Sequence, residues 1–166
     1  HLKTMPKFER WQGLPYYPIS QFYKKLYGEK ITKIPVSVVE SCPNRDGLNG
    51  MKTCVFCDVS GSAAYPEEVG LSLTDQINEN RKKVVSRTNA KKFLVYFQSY
   101  TNTFTRVKNL RKNFEEAAKF EDVLGFVVGT RPDCISEAVF DLWNDFSQDL
   151  DMFIELGVQS FDDRQL

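Results

Sequence analysis

The sequence has few of the residues that commonly build catalytic or metal sites. Its 166 residues include a single histidine, at position 1, and four cysteines. A structural zinc site needs four ligands in a tetrahedron. The sequence therefore offers few candidate ligands for a mixed cysteine–histidine site. An excess of one charge is missing too, because 22 lysines and arginines balance 22 aspartates and glutamates. Overall charge therefore gives no argument for a nucleic-acid or membrane partner, although a local basic patch stays open.

Long apolar runs, targeting signals and low-complexity segments are missing as well. No apolar run approaches the ~20 residues of a membrane span, and the start H-L-K-T-M-P lacks the apolar core of a signal peptide. Four cysteines without a secretory signal favour a reducing compartment, and metal or catalytic use over disulfides. With a hydrophobic fraction of 42%, the length suits one domain with a substantial core. We therefore expect a cytoplasmic protein without a membrane partner.

The sequence does contain a regular alternation of apolar strands and amphipathic helices. Each strand is a near-continuous apolar run, as in parallel sheets that are covered on both faces. Each helix repeats apolar residues at intervals of three and four, and Ser72 or Thr74 is the expected cap of the first. This order predicts an α/β fold with parallel pairing, either a (β/α) barrel or a doubly wound sheet. The predicted strands are Ile31 to Val39, a run ending at Phe97, Val123 to Gly129, and Met152 to Val158; the helices are Leu73 to Arg87, Val107 to Ala118, and Val139 to Phe146.

Residues 1–30 form an aromatic-rich N-terminal extension in this prediction. The segment I-S-Q-F-Y-K-K-L-Y-G is typical of a short helix that Ser20 caps and Gly28 ends. We expect its aromatic side chains to pack on the following domain, and a base-stacking surface is the alternative. Residues 31–166 then form the N-terminal part of a core domain that stops after the fourth strand. A barrel needs more strands, so we expect part of a larger protein or a domain closed by something else.

Three of the four cysteines lie in one loop directly after the first strand. Cys42, Cys54 and Cys57 have the spacing C-x11-C-x2-C, with turn-forming residues between them. The loop takes the place of a G-x-G-x-x-G or Walker loop, neither of which follows this strand. A fourth zinc ligand would have to be Cys134, which follows the third strand and is expected to lie two elements away. The count suits a [4Fe–4S] cluster best, because three thiolates leave one iron free to bind a substrate or cofactor.

This loop and three further segments resemble the radical S-adenosylmethionine (radical SAM) enzymes. The commonest signature of that superfamily is C-x3-C-x2-C. The longer spacing here, C-P-N-R-D-G…C-V-F-C, resembles an uncharacterised bacterial subgroup, the YhcC-like group, which is related to the radical SAM domain of the elongator catalytic subunit. The other segments are Y-F-Q-S-Y-T-N-T-F, G-T-R-P-D-C and I-E-L-G-V-Q-S-F. The resemblance covers about residues 14 to 166 and implies the first four units of a radical SAM (β/α) barrel.

The resemblance implies a mechanism, cofactors and partners. In the family, a [4Fe–4S] cluster on the three cysteines binds S-adenosylmethionine. An electron from a donor such as flavodoxin or ferredoxin then cleaves it to a 5′-deoxyadenosyl radical, which abstracts hydrogen from a substrate. The kinship with elongator suggests RNA as that substrate. The cofactors carry this chemistry, while the barrel positions and shields them.

The resemblance also implies contacts to S-adenosylmethionine from the segments around the cluster. Phe56 matches an aromatic position near the adenine. Gln98, Ser99 and Tyr100 stand where family members have glycines that contact the methionine amino group. We expect the carbonyls of Ser99 and Tyr100, with the hydroxyl of Thr101, to make that contact instead. A plain polar loop is the alternative interpretation of this segment.

Arg131, Glu155 and Gln159 complete the implied cofactor contacts. Gly129 stands where elongator-type relatives carry glutamate, so Arg131 is expected to face the cofactor or substrate. A local pair of Arg131 with Asp133 is an equal alternative. Glu155 lies within an apolar strand, where an unpaired carboxylate is costly, so we expect it to have a partner. Gln159 matches a cofactor-contacting position at the end of the fourth strand.

A non-catalytic RNA-binding module, stabilised by zinc or an iron–sulfur cluster, is the alternative function. Its surface would combine the aromatic residues of the first thirty with the basic run K-K-V-V-S-R-T-N-A-K-K, Lys82 to Lys92. Such a run is more often a solvated helix face.

Overall fold

A computed structural model of the chain describes residues 14, 16–39, 41–47, 58, 60–162 and 164. Within these ranges the chain forms one sheet of four strands, all paired in parallel. The order of strands in the sheet follows their order in the chain. The expected α/β fold with parallel pairing is confirmed.

The four strands are the apolar runs of the sequence. They are β1 (Ile31–Val36), β2 (Lys92–Phe97), β3 (Val123–Thr130) and β4 (Asp151–Leu156). β1 ends at Val36 rather than at Val39, because the side chain of Gln76 takes over the pairing of Ser37. Gln76 Oε1 accepts a hydrogen bond from the Ser37 amide at 2.7 Å, and Gln76 Nε2 donates to its carbonyl at 3.0 Å. β4 also begins and ends earlier than predicted, at Asp151 and Leu156.

Three helices connect the strands and pack on one face of the sheet. They are α2 (Leu73–Thr88), α3 (Val107–Ala117) and α4 (Glu137–Phe146). α2 begins at a predicted cap, because Ser72 Oγ accepts a hydrogen bond from the Asp75 amide at 3.1 Å. The core beneath these helices is aromatic at its centre, where the buried ring of Phe114 stacks on that of Phe126 with 4.8 Å between centroids.

The helix α1 (Ile19–Tyr27) packs on the opposite face of the sheet. Tyr23 is only 4% exposed and joins Ile31, Leu94 and Val127 in a second apolar cluster. Tyr23 therefore packs on the sheet, whereas Phe22, Tyr16 and Tyr17 are exposed. Phe8 and Trp11, the other aromatic residues at this end of the chain, lie outside the described residues. Tyr27 adds a polar contact, since its hydroxyl donates to the Asp151 carboxylate at 2.7 Å.

The two ends of α1 differ in how well the sequence predicted them. Gly28 ends the helix with a left-handed φ of 74°, as expected. The predicted cap at Ser20 is wrong, because the residue before the first turn is Pro18 and no side chain caps this end. The fixed φ of proline, −65° here, suits the residue that precedes a helix.

The sequential strand order distinguishes between the two predicted architectures. A doubly wound sheet reverses its strand order and carries crossover helices on both faces. Here each strand neighbours the next one in the chain, and all three crossover helices lie on the same face. The arrangement is compatible with part of a (β/α) fold of the barrel kind. No helix in the described part of the chain is long and apolar enough to span a membrane.

Candidate metal and cofactor site

Three loops follow β1, β2 and β3 at the same edge of the sheet. We call residues 37–72 the cysteine loop, residues 98–106 the β2 loop and residues 131–136 the β3 loop. Because the carboxyl ends of parallel strands lie side by side, these loops are neighbours. Such an edge is where ligands bind in open α/β sheets.

Cys42 lies at this edge as a free, half-buried thiol. The chain turns immediately after it: the Asp46 amide donates to the Cys42 carbonyl at 3.0 Å, and the Gly47 amide donates to the Asn44 carbonyl at 3.2 Å. Ser41 Oγ donates to the Asp46 carboxylate and closes the same turn. Cys54, Cys57 and Phe56 lie outside the described residues. Among those that are described, no three side chains of the metal-binding types form a group that could hold an ion.

Asp58 organises the chain just beyond Cys57. Its Oδ1 accepts hydrogen bonds from the Ser60 amide at 2.9 Å, the Ser60 hydroxyl at 2.7 Å and the Ser62 amide at 2.9 Å. These bonds, led by the one from Ser62, hold the pKa of Asp58 below its ordinary value. The carboxylate therefore fixes a tight turn at this end of the cysteine loop.

Arg45 connects two parts of the cysteine loop with the β2 loop. Its Nη1 atom donates to the Tyr100 hydroxyl at 3.1 Å and reaches the Asp58 carbonyl at 3.5 Å. The guanidinium carbon also lies 5.2 Å from the centre of the Tyr100 ring, within the range of a cation–π contact. Since Asp58 directly follows Cys57, one side chain links the turn after Cys42 with the residue after the last cysteine.

Tyr100 packs so closely on the cysteine loop that it requires a glycine there. The Tyr100 amide donates to the Gly61 carbonyl at 3.1 Å. A Cβ atom on Gly61 would lie 2.4 Å from the tyrosine ring, and the φ of this glycine is left-handed at 64°. The cysteine loop and the β2 loop are thus fitted to each other at this position.

Arg131 links the β3 loop to the cysteine loop. Its Nε and Nη2 atoms donate to the two carboxylate oxygens of Asp133 at 2.9 and 2.7 Å, and Nη1 donates to Asn44 Oδ1 at 2.8 Å. The hydrogen bond with Asp133 raises the pKa of Arg131, and the charges of Asp133, Cys134 and Cys42 add to the rise. The local pair with Asp133 is therefore real, and the same guanidinium also contacts the turn after Cys42.

Cys134 lies in the β3 loop, three residues after Arg131. Its Sγ atom lies 3.7 Å from Asp133 Oδ1, so the thiol accompanies the pair of Arg131 with Asp133. Burial, followed by the charge of Asp133, raises the pKa of Cys134.

Most of the β2-loop groups that were predicted to contact S-adenosylmethionine face the protein interior. Ser99 and Thr101 are buried, and the Ser99 carbonyl accepts a hydrogen bond from Asn102 Nδ2 at 3.2 Å. The same amide group donates to the Phe97 carbonyl at 2.7 Å and to the Gly129 carbonyl at 3.1 Å. The Ser99 hydroxyl is buried without a hydrogen-bond partner. Asn102, which the sequence analysis did not single out, thus ties the ends of β2 and β3 together.

Gln98 and Tyr100 are half-buried residues near the start of the β2 loop. The Gln98 amide extends the pairing of β2 with β1 by donating to the Val36 carbonyl at 3.3 Å. The Gln98 carbonyl approaches Gly129, where an added Cβ atom would lie 3.4 Å from it and 3.3 Å from the Phe97 carbonyl. A larger side chain at position 129 would therefore press on the end of β2.

The prediction that the carboxylate of Glu155, in an apolar strand, has a partner is confirmed. It lies on the α1 face of the sheet, where it forms an ion pair with Lys33 of β1 and accepts a hydrogen bond from the Tyr96 hydroxyl at 2.6 Å. Burial works to raise the pKa of Glu155, but the hydrogen bonds from Lys33 and Tyr96 outweigh it and leave that pKa lowered. We name Lys33, Tyr96 and Glu155 the inter-strand triad. It binds three strands together, and its members are already paired.

Gln159 lies beyond the end of β4 as an exposed residue with a left-handed φ of 66°. Two residues before it, the Gly157 amide donates to the Thr130 carbonyl at 2.9 Å and keeps this segment beside the end of β3. Gln159 is thus placed at the same edge of the sheet as the three loops. Its predicted contact to a cofactor stays a prediction.

Sequence reasoning also missed the roles of Asn44 and Arg45, which join the cysteine loop to the β3 and β2 loops. They follow Cys42 by two and three residues, and the turn-forming segment around them gave no signal of contacts to other loops. The partners themselves, Tyr100 and Arg131, are too far away in sequence to be deduced.

Comparison with known proteins gives relatives without an established activity. The chain is 38% identical over 141 residues to a protein named YhcC from Escherichia coli, with 84% of this chain and 44% of that protein covered. It is 30% identical over 149 residues to the uncharacterized protein YtqA of Bacillus subtilis, with 90% of this chain and 46% of that protein covered. The chain therefore spans a little less than half the length of these relatives. No family model matches the chain. No solved structure matches it either.

Proposed function

We propose that this chain is the N-terminal part of a radical SAM enzyme. In this proposal Cys42, Cys54 and Cys57 hold a [4Fe–4S] cluster at the carboxyl edge of a partial (β/α) barrel. The observation that carries the proposal is the convergence of three loops at that edge. Arg45 joins the cysteine loop to the β2 loop through Tyr100, and Arg131 joins it to the β3 loop through Asn44.

Two described residues support the proposal of a cluster here. Cys42 has a free thiol, and Asp58, which follows Cys57 in the sequence, lies within reach of the turn that follows Cys42. Thiolates are the protein ligands of iron–sulfur clusters, and three of them leave one iron for a small-molecule ligand. The positive charges of Arg45 and Arg131 suit an anionic centre with several thiolates.

S-adenosylmethionine, when bound with the cluster, supplies the radical chemistry that removes hydrogen from a substrate. The residues of this chain position and enclose it. In the proposal the β2 loop lies beside the cofactor, with Gln98 and Tyr100 on its half-buried side and the unpartnered Ser99 hydroxyl beneath. Gln159 is the proposed contact from the end of β4. RNA is the proposed substrate class, and a flavodoxin or ferredoxin the proposed electron donor.

A closed site with four thiolates is the rival proposal, and Cys134 is the observation that favours it. Its loop is linked to the turn after Cys42 by the hydrogen bond from Arg131 to Asn44. A closed tetrahedral site would stabilise the fold without catalysis, as in the RNA-binding alternative. The variant Cys134→Ala separates the two proposals, because only the closed site needs a fourth thiolate.

The basic run from Lys82 to Lys92 gives that rival only part of a surface. Lys83 pairs with Glu67 and Glu68. Lys82 is 71% exposed but lies beside Glu79 at 2.7 Å. Because acidic side chains accompany these two cations, this part of the run is a weak attractor for a phosphate backbone.

The test is the reductive cleavage of S-adenosylmethionine by anaerobically reconstituted protein. With dithionite as reductant, we expect the wild type to form 5′-deoxyadenosine, detected by liquid chromatography with mass spectrometry. Cys54→Ala should form none. Cys134→Ala is the matched control, since it removes the one cysteine outside the cysteine loop and should keep the activity. No 5′-deoxyadenosine from a wild type with a full complement of iron and sulfide would contradict the proposal.

A further inference from the structure

We infer that Arg131 is a positioning residue that fastens the turn after Cys42 to the end of β3. Two separate edges of its guanidinium donate hydrogen bonds. One edge forms the bidentate pair with Asp133, and Nη1 donates to Asn44 Oδ1 at 2.8 Å. Because Asp133 holds the guanidinium in the plane of its carboxylate, the third hydrogen bond has a fixed direction.

Asn44 accepts this hydrogen bond through its side chain and belongs to the turn through its backbone. The side chain is buried, and the backbone carbonyl accepts a hydrogen bond from the Gly47 amide at 3.2 Å within the turn. The Cys42 carbonyl accepts the Asp46 amide in the same turn, so the bonds of the turn begin at Cys42. A fixed Asn44 therefore fixes the backbone that carries the Cys42 thiol.

Lysine could not replace Arg131 in this role. An ammonium group is a point charge on a flexible stem, whereas the planar guanidinium presents two donors to Asp133 and a third to Asn44. The inference thus predicts that charge alone is insufficient and that the fork of the guanidinium is required. Its charge has a second consequence, which rests on the proposed function: a cation beside the cluster stabilises the more negative, reduced state.

The first test uses metal-free protein and amide hydrogen exchange. In Arg131→Gln we expect the Asp46 and Gly47 amides to exchange about tenfold faster than in the wild type, because a charge-assisted hydrogen bond that supports their turn is lost. Amides of β2 and β3 should keep their rates. Asn44→Ala should reproduce the effect, and the double variant Arg131→Gln with Asn44→Ala should add nothing further.

Three further variants separate positioning from general damage. Arg164 forms the same bidentate pair with an aspartate two residues before it, but it is 88% exposed near the end of the chain, so Arg164→Gln should leave the turn unchanged. Asn44→Asp keeps an oxygen acceptor for Arg131 and should retain slow exchange. Arg131→Lys should behave nearly as Arg131→Gln does. Unchanged exchange at Asp46 and Gly47 in Arg131→Gln would overturn the inference, whatever the protein binds.

The second test uses the reconstituted protein and redox titration followed by electron paramagnetic resonance. Arg131→Gln should lower the reduction potential of the cluster relative to the wild type, since a positive charge is lost. Arg131→Lys should keep the potential closer to that of the wild type, although its turn is loosened. A wild type that takes up no iron and sulfide would refute the proposed function, while the exchange experiment would still decide the role of Arg131. Equal reduction potentials in the wild type, Arg131→Gln and Arg131→Lys would contradict the inference that the charge of Arg131 acts on the cluster.

Discussion

At the scale of single residues, polar side chains of the α1 face join strands that are not neighbours in the sheet. In the inter-strand triad, Glu155 of β4 contacts Lys33 of β1 and Tyr96 of β2, and β4 pairs with neither of these strands. Burial of the Tyr96 hydroxyl, together with its hydrogen bond to Glu155, raises the pKa of Tyr96. At neutral pH the Tyr96 hydroxyl therefore stays protonated and donates its hydrogen bond to the ionised carboxylate of Glu155.

The stability that Glu155 contributes should depend on pH. Its folded-state pKa is lowered, so its contribution is full above the unfolded pKa of about 4.3 and is lost as pH falls through the folded value. Because the carboxylate is 45% exposed, solvent screening limits the effect to below about 1 kcal/mol. In urea titrations, Glu155→Gln should be less stable than the wild type at pH near 7 and nearly equal to it at pH near 3.

Glu79→Gln serves as the comparison for that experiment. Glu79 pairs with Lys82 on the surface of α2, three residues away along the helix. An exposed pair of this kind contributes little, so the variant should follow the wild type at every pH. A constant difference between Glu155→Gln and the wild type from neutral to acidic pH would contradict the assignment of the triad.

Gly61 carries the closest contact between the cysteine loop and the β2 loop. Gly61→Ala places a Cβ atom 2.4 Å from the Tyr100 ring and in a left-handed backbone, and we expect a loss of about 2–3 kcal/mol of unfolding free energy. Gly28→Ala is the control, because its φ of 74° is also left-handed but nothing lies within 4 Å of the added atom. It should lose only about 1 kcal/mol. Equal losses in the two variants, measured by chemical denaturation, would show that Tyr100 does not press on Gly61.

At the scale of elements, periodicity predicted the helices and strands well, because it reports which face is buried. Leu73, Ile77 and Val84 recur at helical intervals in the sequence, and all three are buried in α2. The ends of elements were harder to predict. β1 ends where Gln76, in another element, replaces the strand pairing at Ser37, and no local pattern reveals such a partner.

The same distinction applies to the candidate site. The spacing of the cysteines and the polar segments after β2 and β3 were visible in the sequence, and parallel strands bring such segments to one edge. The contacts that join them were not, because they depend on the side chains of Arg45 and Arg131 reaching across loops. The position of Arg131 between Asp133 and Asn44 combines a local pair with a distant one, and only the former could be deduced.

We expect Tyr23 to be the residue of helix α1 that contributes most to the stability of the fold. Tyr23 is buried against Leu94 and Val127, so Tyr23→Ala removes most of an aromatic side chain from the core and should cost about 3 kcal/mol. Phe22 is its neighbour on the same helix and is 36% exposed, so Phe22→Ala should cost clearly less, about 1 kcal/mol. Urea unfolding followed by circular dichroism measures both. A larger loss for Phe22→Ala would mean that α1 presents a different face to the sheet.

At the scale of the whole molecule, the described residues form a four-stranded parallel sheet with its crossover helices on one face. Its polar loops gather at the carboxyl edge, and the relatives it matches are more than twice the length that it covers. Fold alone does not decide function, because one architecture carries many chemistries. The proposed function therefore rests on the cysteine loop and on the cluster that we propose it holds.

The most direct measurement is the iron and sulfide content of anaerobically reconstituted protein. The account predicts about four irons and four sulfides per chain for the wild type, as three thiolates hold a cubic cluster. Cys42→Ala, Cys54→Ala and Cys57→Ala should each lose them, and Cys134→Ala should keep them. Zinc uptake without sulfide by the wild type, or a loss in Cys134→Ala equal to that in Cys54→Ala, would contradict the three-cysteine cluster.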